Sequence, residues 1–364
     1  MYRYELMALL SIKGIGIQTI HRLIRHFGSL EVLLQHVRKN TVYEQTGIKA
    51  TKACHLALEQ FDAKAYEGAL CKESVNLITF MDARYPKSLK MLETYPLLLH
   101  YKGAVELINN SLLGVAVVGS RRISPYGQRV AFELGRFLGE YKLPVVSGLA
   151  YGVDYEVHSG VIKSGGTPIG VVANGLETIY PKSHKKLAKE IVQHGVLVTE
   201  EFLYSELAAY KFPIRNRLIS GMSQVIVVVE AEEKSGSLIT ARHGLEQGKT
   251  VYAVPGSIYS ATSRGTNQLI AEGAIPLLNF QQLLEEYSFD LPRHSLIEDK
   301  EVMGDLVDSL EVEIAKKIIE RDFMSLDELS EEMKLPIAKL SSILMQMEIE
   351  EKVRCLDGNK YTLL

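Results

Sequence analysis

The rhythm of apolar and polar positions changes several times along this chain. From residue 1 to about 65 the apolar residues fall at helical spacing. Leu6, Leu9, Leu10 and Ile12 come first, then Ile20, Leu23, Ile24 and Phe27, closed by Gly28. Shorter runs follow over residues 66–110, predicting strands at 75–80 and 96–101 on either side of Tyr85-Pro86, and this segment reads as a connector. From 111 to 280, short apolar runs alternate with helical patterns. Strands are predicted at 115–118, 144–146, 168–172, 196–199, 224–230, 250–254 and 275–278. Between them lie a helix carrying Val130, Leu134, Phe137 and Leu138, and helices beginning near Ser183, Pro213, Gly236 and Arg264. Runs such as Val225-Ile226-Val227-Val228-Val229 are apolar on both faces, as in strands covered on two sides. The fold class predicted is α/β, a doubly wound and mainly parallel sheet.

Residues 281–304 lack an apolar period and read as an acidic linker. Residues 305–364 change style again. A helix at 310–320 precedes Ser325-Leu326-Asp327-Glu328, a capping box opening a second helix. Pro336 suits the first turn of a third helix, over 336–347. Strands at 352–356 and 360–363 flank an Asp357-Gly358 turn. Three helices and a hairpin predict a winged helix. Its third helix offers only Lys339 as a cation, so the domain either reads DNA weakly or docks a protein.

Charge sharpens the picture. The net charge of −3 argues against nucleic-acid binding until its distribution is read. Residues 111–220 hold 13 Lys/Arg against 9 Asp/Glu, whereas 281–313 hold 2 against 10. An acidic stretch thus masks a modestly basic domain. Three scattered cysteines and no signal-like or membrane-length apolar run lead us to expect a cytoplasmic protein without membrane contact.

Candidate chemistry sits in the loops after the strands, where doubly wound sheets bind ligands. Gly119, Ser120, Arg121 and Arg122 form a small-residue loop with two guanidinium forks suited to an anion. Ser147 and Gly148 begin a second glycine loop, followed by Asp154 and His158 four apart on one helix face. That pair would form a structural bond orienting the loop, or a catalytic couple. Lys182 follows Tyr180, and Arg215, Asn216 and Arg217 follow Phe212; Tyr151, Tyr180 and Phe212 are candidate stacking rings, or half-buried core aromatics. Ser235 and Gly236 open another helix, able to hold a phosphate or merely to cap. Near the N-terminus, Lys13-Gly14-Ile15-Gly16 between two helices is similar to a helix-hairpin-helix or SAM-like turn, with Gly47-Ile48 as a degenerate second copy. Such a turn touches a phosphate, or simply closes a helical bundle over residues 1–65.

The chain has no GxxxxGK[ST], no GxGxxG after the first strand, no GxSxG and no HExxH. No cofactor, metal or enzymatic activity is therefore expected. A Rossmann-like enzyme acting on a nucleotide or another small phosphorylated ligand is the alternative.

Taken in order, these loops resemble the DprA/Smf family of DNA-processing proteins. The likeness rests on VGSRRISPYG (118–127), SGLAYGVD (147–154), GLETIYPKSH (175–184), FPIRNRLISG (212–221), EAEEKSGSLITA (230–241) and VPGSIYSATSRGTNQLIAEGA (254–274). Glu177, His184 and Val157 stand where the family usually has Asp, Asn and Ala. The resemblance implies a Rossmann-like domain at 111–280 that binds single-stranded DNA as a homodimer. It implies a mediator that protects incoming strands in natural transformation, cooperates with single-strand-binding protein and loads the RecA recombinase. By motif position, Arg121 and Lys182 resemble the family's DNA-contacting cations, with Arg215 and Arg217 expected in the same pocket. The dimer and RecA surfaces are expected in the later part of that domain.

Overall fold

The computed structural model describes residues 2–109, 114–287 and most of 314–363. It divides into two compact units, residues 1–290 and 291–364. In the first, helices α1 (Arg3–Leu10), α2 (Ile17–Phe27), α3 (Leu30–Arg38), α4 (Val42–Thr46), α5 (Cys54–Gln60) and α6 (Ala63–Lys72) lead into β1 (Asn76–Thr79) and β2 (Leu98–Gly103). The Gly14–Gly16 turn is the predicted tight one. Gly14 has a φ of +89°, a conformation natural to glycine, and Gly16 caps α2 with extended backbone.

Beyond it runs the alternating pattern: β3 (Gly114–Val118), α7 (Pro125–Glu140), β4 (Val145–Ser147), α8 (Val153–Lys163), β5 (Pro168–Val171), α9 (Lys185–His194) and β6 (Val196–Thr199). Then come α10 (Lys211–Gly221), β7 (Ser223–Val228), α11 (Ser237–Glu246), β8 (Thr250–Ala253), α12 (Arg264–Ala271), β9 (Ile275–Pro276) and α13 (Gln282–Glu285). Each strand sits within a residue or two of its sequence prediction, because long runs of Val and Ile between glycines have few other places to go.

The sheet order is β1-β2-β6-β5-β4-β3-β7-β8-β9. From β6 to β9 all neighbours are parallel, as in β3–β7 with Val118 opposite Val228. The chain starts at β3, winds outward to β6, then returns to β7 on the other side of β3. The gap between β3 and β7 is therefore the switch point, where the loops leaving two adjacent strands diverge and open a crevice.

The 66–110 segment is more than a connector. β2 pairs antiparallel with β6 and β1 with β2, so both belong to the main sheet. Ile78, Leu99 and Tyr101 join the same buried cluster as Ala116, Val118 and Val228. The helical N-terminus also packs here, with Leu6, Ile20 and Leu33 sharing a core with Leu97 and Leu98. Sequence periodicity shows that a strand exists but not which strand it pairs with, which is why the connector reading stopped short.

In the second unit, α14 (Leu326–Met333) begins with the predicted capping box. Ser325 Oγ accepts from the Glu328 backbone N–H, and the Ser325 N–H donates to the Glu328 carboxylate. α15 (Ile337–Ile349) follows, and β10 (Met324–Ser325), β11 (Val353–Leu356) and β12 (Lys360–Leu363) form a sheet in the order β10-β12-β11. This is the winged-helix arrangement. The acidic linker beyond residue 287, most of the predicted 310–320 helix and the Asp357-Gly358 turn lie outside the described residues.

Two buried histidines link the fold to pH. His100 Nε2 lies within hydrogen-bond distance of the Tyr66 hydroxyl, at 3.0 Å, and His158 donates from Nε2 to the Gly148 carbonyl at 3.0 Å. Burial pulls both down to about 4. The unfolded chain therefore binds more protons than the folded one between that value and the ordinary histidine range. Stability is expected to fall as pH drops from 6.5 toward 4, by about 1.4 kcal/mol per pH unit for each histidine. Urea denaturation across that window measures the slope, and His158→Asn should reduce it.

Candidate nucleic-acid interface

At the switch point the β3–α7 loop, the α10 N-terminus and the β7–α11 loop enclose a cleft of about 680 Å³. Of the residues singled out from sequence, Gly119, Ser120, Arg121, Arg122, Arg215, Asn216, Ser235 and Gly236 line it together. Tertiary structure thus gathers three loops separated by about a hundred residues.

Arg121 and Arg122 are both exposed. The Arg121 guanidinium carbon lies 5.1 Å from the centroid of the Phe212 ring, and Phe212 lies 6.2 Å from Tyr180. A cation thus stacks on one ring with a second ring beside it, an arrangement that holds the charge in place while leaving its N–H edge free for an anion. Tyr180 is 43% exposed, so its face is open to a ligand. A small recess extends from the cleft past Leu149, Tyr151, Ala173 and Pro181.

Two backbone amides of the first loop are already engaged within the fold. The Ser120 N–H donates to the Glu230 carbonyl at 2.7 Å, and the Arg122 N–H to Ser120 Oγ at 3.0 Å. The loop's shape instead depends on Glu230, which is 2% exposed. Its carboxylate accepts from the Ser124 N–H, the Ser124 hydroxyl and the Thr262 hydroxyl, at 2.9, 2.5 and 3.0 Å. It clasps the arginine loop to the segment before α12. Sequence reading missed it, since an acid at the end of a strand carries no local sign of its distant partners. Glu230→Ala leaves these donors unpaired and should cost about 1–3 kcal/mol in urea unfolding.

The second loop supports rather than lines the cleft. Ser147 is fully buried; its hydroxyl is 2.6 Å from the Val117 carbonyl and 3.0 Å from Asp154 Oδ1. Asp154 also accepts from the Ala150 N–H at 3.0 Å. Asp154 and His158 orient this loop separately, not through a bond to each other. The Gly148 α-carbon is pressed against Asp154 and Arg215; an added Cβ would stand 2.8 Å from Arg215 Nη1. Neither Ser147 nor Gly148 lines the cleft, because both are packed at the strand end below the rim. Leu149 and Ala150 form the wall instead. Gly152, at φ +77°, lets the two loops touch: the Val153 N–H donates to the Ser120 carbonyl.

Arg215 lies under the cleft. It is 7% exposed, donates from Nη1 to the Val171 carbonyl, and its Nε is buried without a partner. Burial raises the Asp154 carboxyl above its ordinary range while Arg215 opposes that rise; burial likewise lowers Arg215, opposed by Asp154. Arg217 corrects our expectation. Two residues on from Arg215 along a helix, it points to the other side of α10. There it pairs with Glu200, both largely buried, beside a separate groove lined by Gly16 and Thr19 of the α2 N-terminus. Lys182 is exposed but stands one step past Tyr180-Pro181, lining a neighbouring groove rather than the cleft. Asn216 donates to the Gly236 carbonyl at 3.2 Å, tying α10 to the loop before α11.

Among the described residues no helix is long and apolar enough to cross a membrane, and no His/Cys/Asp/Glu group is placed to hold a metal ion.

Comparison with known proteins places this geometry in context. A family model described as DNA recombination-mediator protein A matches residues 76–288, and one described as DprA winged helix domain matches 307–359. The chain is 36% identical over 231 residues to the DNA processing protein DprA of Bacillus subtilis, covering 63% of this chain and 77% of that one. It is 38% identical over 254 residues to Protein Smf of Escherichia coli, covering 69% and 67%. DNA processing protein A from Streptococcus pneumoniae has a similar solved structure, with a TM-score of 0.67 at 31% identity, covering 78% of this chain and 97% of that one. So does DNA processing protein A from Helicobacter pylori, described for its unique single-stranded DNA binding mode, at 0.55 and 28%, covering 60% and 99%.

Proposed function

The chain belongs to the DprA/Smf family of DNA-processing proteins, and from that premise we propose that it is a single-stranded-DNA-binding recombination mediator, not an enzyme. The observation that carries the reading is the Arg121–Phe212–Tyr180 cluster on the rim of the switch-point cleft. Unpaired bases stack on the rings while guanidinium and ammonium groups follow the phosphates. A duplex hides its base faces and so cannot use those rings. The relative from Helicobacter pylori, described for binding single-stranded DNA, supports the choice of ligand. A binding role fits the polar groups beneath the cleft. Asp154 is committed to Ser147 and Ala150, and His158 to Gly148, so neither faces a ligand as a general base.

In this reading a homodimer grips two segments of a strand. The protein receives the strand from single-strand-binding protein and passes it to RecA in the cytoplasm, protecting incoming DNA during transformation. Lys182, just beyond Tyr180, takes a phosphate leaving the cleft.

Fluorescence anisotropy with labelled oligo-dT, the matching duplex and a mononucleotide tests the ligand class. Oligo-dT should bind at least about tenfold more tightly than either of the others at physiological salt. Tight binding of the mononucleotide alone would favour the enzyme reading.

A further inference from the structure

Past the Tyr180–Pro181 bond lies a second groove, of about 500 Å³, which shares with the proposed strand path only Lys182 at its edge. Its floor is aliphatic, built from Leu176, Ile179, Ala188, Val192 and Leu197. Lysines rim it: Lys102 on β2, Lys182, and Lys185 and Lys189 one turn apart on α9. None of these four has an ion-pair partner among the described residues. Glu177 also lines the groove, and its Oε2 is buried without a hydrogen-bond partner.

We propose that this groove docks an acidic peptide segment of a partner protein through at least one aliphatic side chain. The lysine rim complements carboxylates and leaves the groove's own charge unneutralised until a partner arrives. The aliphatic floor offers a desolvated seat for an apolar anchor, the kind of contact that dominates peptide affinity. The chemistry favours peptide over a second stretch of DNA. No aromatic ring lines this groove to stack a base, whereas the main cleft has two.

The test uses the full chain and a fluorescein-labelled peptide alternating pairs of aspartate with pairs of leucine. Saturable binding in the micromolar range is expected, weakening as salt rises. Replacing the leucines by serine should weaken it about tenfold or more. So should the triple variant Lys102→Ala, Lys185→Ala, Lys189→Ala, whose oligo-dT affinity and unfolding midpoint should stay within about twofold and a few degrees of the parent. Absence of saturable peptide binding would overturn the proposal, as would equal binding by the triple variant. A loss of oligo-dT binding as large as the loss of peptide binding would assign the lysines to the DNA strand instead. Because oligo-dT is measured in the same proteins, failure here leaves the main cleft's reading intact.

Discussion

Arg121→Ala is expected to weaken oligo-dT binding by roughly tenfold to a hundredfold, the value of about 1.5–3 kcal/mol for a charge-assisted hydrogen bond. The side chain is exposed, so the change should leave thermal stability nearly untouched. Removing one phosphate contact should also flatten the log–log salt dependence of binding by about 0.7. Phe212→Ala should lose affinity as well, by about 1–3 kcal/mol per stacked base, but without changing the salt slope. Anisotropy titrations at several salt concentrations separate the two contributions. If Arg121→Ala bound like the parent at every salt, the cleft would not be the strand's site. Unchanged slopes with reduced affinity would mean that Arg121 only supports the Phe212 ring.

The largest stability effect is expected at Arg215. Arg215→Ala removes the cation that faces the buried Asp154 carboxylate, and breaking such a buried arrangement from one side costs about 3–5 kcal/mol. The pH dependence gives this a direction. Asp154 already titrates above its ordinary range because of burial, and without Arg215 it should rise further. A group with a raised folded pKa favours folding below its unfolded value, and that contribution fades as pH rises through the folded value. The deficit of Arg215→Ala should therefore shrink as pH is lowered toward the acid range. Asp154→Asn combined with Arg215→Ala should recover part of the loss at neutral pH, and a double-mutant cycle by urea unfolding measures that coupling. A deficit that is constant with pH and unaffected by Asp154→Asn would show that Arg215 stabilises through its contact with Val171 and through packing alone.

These two arginines show how much of the site was legible beforehand. Arg121 comes three residues after a strand, and doubly wound sheets gather strand-ending loops at one edge, so a local reading was enough to place it at the cleft. Arg215 and Arg217 looked equivalent, because both follow Phe212 at a helix start. Helical geometry sends residues two apart to opposite sides, and only the packing of α10 decides which side meets the cleft. Arg215 went beneath it toward Asp154, and Arg217 went away toward Glu200. Ser147 and Gly148 were over-read for a related reason. Small residues after a strand fit either a ligand or a tightly packed neighbour, and here the neighbours are Asp154 and Arg215.

Local pattern determined the strands, the helix starts, the Ser325 capping box, the alternation that makes a doubly wound sheet, and the loops able to carry chemistry. Those features depend on side-chain period, glycine and proline geometry and capping, all of which act within a few residues. Tertiary structure alone decided that β1 and β2 extend the main sheet, that Glu230 clasps the arginine loop, and that Arg121, Phe212 and Tyr180 meet. Each is a contact across tens to more than a hundred residues, and such contacts follow from which faces must share one core rather than from any short stretch of chain.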